Sequence, residues 1–220
     1  MSHPATVYVV DDDPAARESV AAVVQSRGLR VREFDSAEHF LGEVIEEGPA
    51  CLLIDVRMPG MSGLELQEKL NAAGRSIPTV VITGFGDVAM AVKAMQNGAV
   101  TFLEKPCQQE ELWQSIELAL QRADTQHKSG QRQQDLRERF GKLSSNERKV
   151  LVRVMEGQPN KRIATELDIG LRTVELRRSY IMRKTGATSL SELIRLAIEV
   201  DFPNDLPAPI DNEEDDEIEE

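Results

Sequence analysis

Five short apolar runs, each followed by a stretch with helical spacing, constrain the first 122 residues more than any other feature of the chain. The runs are TVYVV (6–10), LRVREF (29–34), CLLID (51–55), PTVVIT (78–83) and VTFLE (100–104). Segments of about 10–15 residues separate them, with apolar positions near a 3.6-residue repeat, as at Ala16, Val20, Val23 and Val24. Glycines at 28, 48, 74 and 98 stand where those helices should end. Strands alternating with helices predict an α/β fold of βαβ units: five parallel strands, doubly wound, with right-handed crossovers. Three of the five runs are almost entirely apolar, as strands covered on both faces must be. Residues 108–124 add a fifth helix with Leu112, Ile116, Ala119 and Leu120 on one face, and Trp113 reads as a packing or interface residue.

The rest of the chain has a different character. Residues 125–142 are polar, contain Gly130 and read as a linker with room for partial helix. From 143 to 202 the pattern is all helix, in four pieces. Ser144 or Ser145 caps the first and Gly157 ends it; Asn160 caps the second; Gly170 precedes the third; Ser189 caps the fourth. Residues 203–220 are proline-rich, then densely acidic, with too little apolar content to fold alone, so a disordered tail is expected. The boundaries expected are therefore 1–124, 125–142, 143–202 and 203–220.

The net charge of −12 conceals a division that follows these boundaries. It is −9 over 1–125, +6 over 126–202 and −9 over 203–220. A basic block between acidic ones points to a polyanionic partner for the middle of the chain. No apolar run approaches the roughly 18 residues needed to cross a bilayer, which argues against a membrane partner. The N-terminus lacks the basic region of a signal peptide. Two cysteines, Cys51 and Cys107, suggest no disulfide framework, and a reducing cytoplasm is the expected location. His3, His39 and His127 have no neighbouring ligand set and read as surface residues.

In an open parallel sheet, functional groups gather at the carboxyl ends of the strands, near the switch in strand order. Here the first strand ends in Asp11, Asp12 and Asp13, the third in Asp55, the fourth in Thr83-Gly84 and the fifth in Lys105-Pro106. Burial of Asp55 at the end of CLLI would be costly without compensation. Carboxylates with a backbone carbonyl and waters suit Mg²⁺, which keeps much of its hydration and often binds phosphate as well. A carboxylate beside that ion can act as a nucleophile and form an aspartyl phosphate. The metal, Lys105 and the Thr83 hydroxyl could each hold one of the three phosphoryl oxygens.

The motifs VVDDD, LLIDVRMPGMSG, VVITGFGD and FLEKP, in that order over 6–121, resemble the receiver domain of bacterial two-component response regulators, close to the FixJ branch. The resemblance implies that Asp55 is the phosphoacceptor and that Asp11, Asp12 and the Arg57 carbonyl join it as Mg²⁺ ligands. It implies that Lys105 contacts the phosphate, with a cis bond to Pro106, and that Thr83 and Phe102 are switch positions. Asp13 is read as a helix cap rather than a ligand. A sensor histidine kinase is the implied phosphodonor.

The helix, short turn and helix at 160–186 fit a helix-turn-helix, whose second helix enters the major groove. Val174, Ile181 and Leu171 are expected in the core, leaving Arg172, Arg177, Arg178, Arg183 and Lys184 for water or phosphate. The segment 143–198 resembles the LuxR-type four-helix DNA-binding domain. By that resemblance Glu175, Leu176 and Ser179 face bases, while Thr173, Arg177 and Lys184 lie near the backbone of promoter DNA. Asn160 and Lys161 start the scaffold helix. Gly170 and Glu175 depart from the family's usual residues, and an acid at 175 suits a cytosine amino group.

Together these features imply a response regulator. Phosphate on Asp55 moves Thr83 and Phe102, the fourth helix and fifth strand change, and a homodimer sets two recognition helices on half-sites about one helical turn apart. The pattern leaves room for RNA polymerase as a further partner. Two alternatives stand beside it: a phosphate sink or protein-interaction module without specific DNA binding, and a phosphatase with a phosphoaspartyl intermediate. Beyond self-phosphorylation and self-hydrolysis, no enzyme activity is expected.

Overall fold

The computed structural model describes residues 5–45, 48–84 and 87–204, in two compact units that divide between Lys128 and Ser129. In the first unit, β1 (Thr6–Val10), β2 (Arg30–Phe34), β3 (Ala50–Asp55), β4 (Thr79–Thr83) and β5 (Thr101–Glu104) form one parallel sheet. Its order is β2-β1-β3-β4-β5, so the direction of winding reverses between β1 and β3. A crevice at the carboxyl ends of those two strands follows from that reversal.

Every residue of β1, β3 and β4 is buried, because helices cover both faces of the sheet. Tyr8, Val10, Leu52, Ile54 and Val81 point into one layer with Phe34, Phe40, Leu66 and Ala94. Val7, Val9, Cys51, Leu53 and Val80 point into the other, with Val24 and Ile116. Each Val, Leu, Ile or Phe among them contributes about 1.5–3 kcal/mol when fully buried. The Cys51 thiol belongs to this core: burial pushes it up to about 12, out of the range of a reactive thiolate.

The covering helices are α1 (Pro14–Ser26), α2 (Ala37–Leu41), α3 (Gly63–Ala72), α4 (Val88–Gln96) and α5 (Gln109–Gly141). Asp13, Ser36, Ser62 and Asp87 cap the first four, each accepting a hydrogen bond from a first-turn amide. Two helices differ from expectation. The helix after β2 stops at Leu41 instead of running to Gly48. There Arg75 donates to the carbonyls of Leu41 and Glu43, at 3.3 and 3.0 Å, and so supplies the partners a further helical turn would have given.

The other departure is α5, which runs unbroken through the expected linker for 33 residues. An isolated glycine such as Gly130 costs only about 1 kcal/mol in a helix. Ion pairs one turn apart, Lys128–Asp124 at 2.6 Å and Arg139–Asp135 at 2.7 Å, support the helix on either side. Leu136 and Phe140 are buried in the second core, which therefore begins before residue 143.

The second unit continues with α6 (Ser145–Met155), α7 (Asn160–Leu167), α8 (Leu171–Thr185) and α9 (Leu190–Glu199) around Phe140, Leu151, Ile163, Val174, Ile181 and Leu196. Ser144 caps α6 in a reciprocal box with Glu147, and Ser189 caps α9. Pro159, not Asn160, takes the cap position of α7: the fixed proline φ suits the turn, and Asn160 becomes the first helical residue. Gly170 leaves α8 without a side-chain cap. Leu171 is 40% exposed rather than in the core, since the first turn of α8 projects past it. Residues 201–204 form a turn; the expected acidic tail lies outside the described residues from 205 onward, as does His3. Among the described residues no helix is long and apolar enough to cross a membrane.

Candidate functional site

Val10 pairs with Ile54 in the parallel ladder, so the next residues, Asp11 and Asp55, leave neighbouring strands at one height. Each is only 6% exposed. Two buried carboxylates side by side are unfavourable unless a cation joins them. Lys105, just past β5, is that cation. Its Nζ lies 2.5 Å from Asp11 Oδ2 and 2.9 Å from Asp55 Oδ1. Backbone amides add to it: Arg57 N–H donates to Asp55 Oδ2 at 2.6 Å, and Asp13 N–H to Asp11 Oδ1 at 3.0 Å.

The electrostatics follow. Desolvation raises the Asp55 carboxyl above its ordinary value, prevailing over the opposing pull of Lys105 and the Arg57 amide. Burial by itself would lower the Lys105 ammonium, but its hydrogen bonds to Asp11 and Asp55 hold it above the usual lysine value. Asp55 is thus a partly desolvated carboxylate, held by one lysine and one amide.

The fifth strand delivers Lys105 because its N–H donates to the Thr83 carbonyl at 2.8 Å, extending the β4–β5 ladder past Glu104. The Lys105–Pro106 bond is cis. Thr83 is fully buried, and the pairings Val81–Phe102 and Thr83–Glu104 put Thr83 and Phe102 on one face of the sheet, the layer shared with α3 and α4. Asp12 is exposed, and Asp13 caps α1 by accepting from the Ala15 N–H. Among the described residues, no three acidic, histidine or cysteine side chains converge closely enough to hold a metal unaided.

Three residues that shape this rim were not singled out from the sequence. Gly63 packs so tightly under β3 that an added Cβ would stand 2.1 Å from the Asp55 carbonyl oxygen. The glycine ending MPGMSG was its visible signal. Arg17 donates to the Asp11 carbonyl at 2.6 Å, and Glu38 accepts from the Met61 N–H at 2.9 Å, pinning the loop after β3. Nothing in the local sequence marks either contact.

On α8 the exposed residues are Leu171, Arg172, Glu175, Leu176, Ser179 and Arg183, with Thr173 half-buried beside them. Lys161 is exposed at the start of α7, and the Asn160 side-chain oxygen accepts from Arg178 at 2.6 Å. One expected phosphate contact is corrected and a second has a partner within the domain. Arg177 is 4% exposed, because its spacing from Val174 and Ile181 puts it on the inward face. Lys184 is half-buried and tied to the buried Glu147 at 2.6 Å.

Each of the two units matches a family of known proteins. Residues 7–117 match the response regulator receiver domain, and residues 141–197 match the luxR family of bacterial regulatory proteins. The chain is 44% identical over 190 residues to the response regulator protein TodT of Pseudomonas putida, spanning 86% of this chain and 84% of that one. It is 43% identical over 199 residues to the transcriptional regulatory protein FixJ of Bradyrhizobium diazoefficiens, spanning 90% and 97%. Among solved structures, the response regulator StyR superposes with a TM-score of 0.81 at 41% identity, over 90% of this chain and all of that one. Full-length FixJ from B. japonicum gives 0.53 at 42% identity, over 93% of this chain and all of that one. The chain belongs to the two-component response regulators that join a receiver to a LuxR-type DNA-binding domain, and it regulates transcription under control of phosphorylation.

Proposed function

We propose that Asp55 is the phosphoacceptor and that its phosphorylation drives dimerisation and promoter binding. One observation carries this reading: a single lysine Nζ bridges two buried strand-end carboxylates, at 2.5 and 2.9 Å. In the transfer, an Asp55 oxygen attacks phosphorus, the P–N bond of the kinase phosphohistidine breaks, and imidazole leaves. Lys105, already beside Asp55, holds an incoming phosphoryl oxygen, and Thr83 offers its hydroxyl from the adjoining strand.

Receivers as a family are generally Mg²⁺-dependent. The donors here fit that ion: carboxylates of Asp11, Asp12 and Asp55 with the Arg57 carbonyl are all hard oxygens. Four protein oxygens leave places for water in an octahedral shell, as Mg²⁺ requires. When bound, the ion would neutralise phosphoryl oxygens.

The output follows two surfaces. Val88, Val92 and Met95 on α4 are 81%, 49% and 49% exposed, an apolar stripe that supports pairing of two copies. Arg172 and Lys161 supply phosphate contacts, and Glu175, Leu176 and Ser179 face the bases. The test is intact mass after incubation with Mg²⁺ and acetyl phosphate, with size exclusion alongside. Wild type should gain one phosphoryl group and shift towards dimer; Asp55→Ala should do neither. An adduct on Asp55→Ala would overturn the assignment.

A further inference from the structure

We propose that the acidic C-terminal segment, residues 205–220, docks on the exposed basic face of α7 and α8 and competes there with DNA. This rests on the reading of α8 as the DNA-contacting helix.

Ion pairing in the second unit is uneven. Arg132, Arg153, Arg162 and Arg195 meet carboxylates at 2.7–3.3 Å, and Lys184 meets Glu147. The recognition face departs from this pattern. Lys161 and Arg172 are exposed and, among the described residues, no ion pair neutralises either. Arg178 rests on the neutral amide oxygen of Asn160, and Arg183 lies over the Tyr180 ring at 4.7 Å. Glu175 is the lone acid in α8. Among the described residues, Lys142 and Lys149 are exposed and without an ion pair elsewhere in the unit, but α7 and α8 carry four cations without carboxylates on the elements where DNA phosphates are expected.

The same chain carries the matching charge. Residues 205–220 contain nine carboxylates and no basic residue. They follow directly on α9 and the short turn to Asn204. Extended at about 3.3 Å per residue, sixteen residues reach about 50 Å, and a unit of this size is about 30 Å across. The basic face is therefore within reach from any point on the surface. Tethering sets an effective concentration near the millimolar range, enough for a contact that would be weak between separate molecules. Exposed pairs of this kind contribute little singly and are screened by salt. The docking is accordingly a low-salt state, displaced by a denser polyanion.

Zero-length carbodiimide cross-linking of the full chain tests this directly. An activated carboxyl of residues 205–220 is attacked by the Lys161 amine, an amide forms and the urea leaves. At about 50 mM salt, mass spectrometry of the monomer should find that amide. It should fade at about 0.5 M salt and on addition of duplex DNA. Lys161→Arg should abolish it. Deleting 205–220 should raise duplex affinity about tenfold at low salt and less than twofold at high salt. Absence of the Lys161 amide, equal yields at Lys69 and Lys93 of the receiver, or unchanged affinity after the deletion would each overturn the docking. If Arg172→Ala with Arg183→Ala leaves the affinity of the shortened chain unchanged, the DNA-contact reading of α8 falls instead, and the Lys161 amide still decides the docking.

Discussion

Glu147 is 1% exposed, and its Oε2 receives both the Ser144 N–H at 2.8 Å and Lys184 Nζ at 2.6 Å. Breaking a buried ion pair from one side leaves an uncompensated charge. Lys184→Ala should therefore lower unfolding stability by about 3 kcal/mol, seen as a reduced urea midpoint, and Glu147→Gln in the same background should recover part of it. An unchanged midpoint with weakened DNA binding would return Lys184 to the DNA surface. Gly63 makes the complementary case in the receiver. With a Cβ 2.1 Å from backbone, Gly63→Ala must displace the end of β3, at a cost of about 3 kcal/mol, the upper end for overpacking. Phosphoryl uptake by acetyl phosphate should fall with it; normal uptake in a fully folded variant would show that the loop can yield without moving Asp55. At this scale the sequence is legible where chemistry is rare, as in DDD or Lys-Pro, and silent where a common residue type has two environments. Arg177 and Lys184 look alike in composition, and only packing shows Arg177 turned inward and Lys184 tied to a buried carboxylate.

The helices show a similar contrast. Strand ends could be read because burial on both faces demands apolar runs, and each of the three central runs meets a polar side chain at its carboxyl end: Asp11, Asp55 and Thr83. The extents of α2 and α5 could not. The stop at Leu41 depends on Arg75, more than thirty residues away in sequence, and the continuity of α5 depends on a core that Leu136 and Phe140 enter one turn apart. Gly130 looked like punctuation, yet tertiary burial outweighed it. The caps carry a pH dependence. Hydrogen bonds from the Ser62 amide and hydroxyl hold the Glu65 carboxyl below its usual range, and those from the Thr188 hydroxyl and amide do the same for Glu192. A folded value below the unfolded one means that each cap contributes fully above pH 4.5 and fades as pH falls through the lowered value. First-turn amide shifts of α3 and α9 should titrate below pH 4.5, and Glu65→Gln should remove the transition in α3 alone. Persistence in that variant would locate the titrating group elsewhere.

At the scale of the whole chain, two hydrophobic cores are separate and one helix contributes to both. The first takes Ile116 and Ala119 from α5, and Ala123 is buried on the same unit; the second takes Leu136 and Phe140. A fragment of 129–220 should therefore melt cooperatively by calorimetry, whereas one of 143–220, cut at the boundary expected from the sequence, should be several degrees less stable or fail to fold. Equal melting would mean that the two residues are peripheral. The charge blocks could be read at once, because composition needs no geometry; the boundary could not, because an apolar pair inside a polar stretch declares its partner only when folded. The shared helix also bears on how such a protein can be shuffled. Residues 124–135 belong to neither core, so a gene fusion that exchanges one sensing module for another has a window of twelve positions in which to join, provided the helical phase is kept. A junction upstream strips the incoming module of its last core contacts, and one downstream strips the resident domain. Within that window, recombination could rewire which signal this DNA-binding domain obeys without either half having to repack.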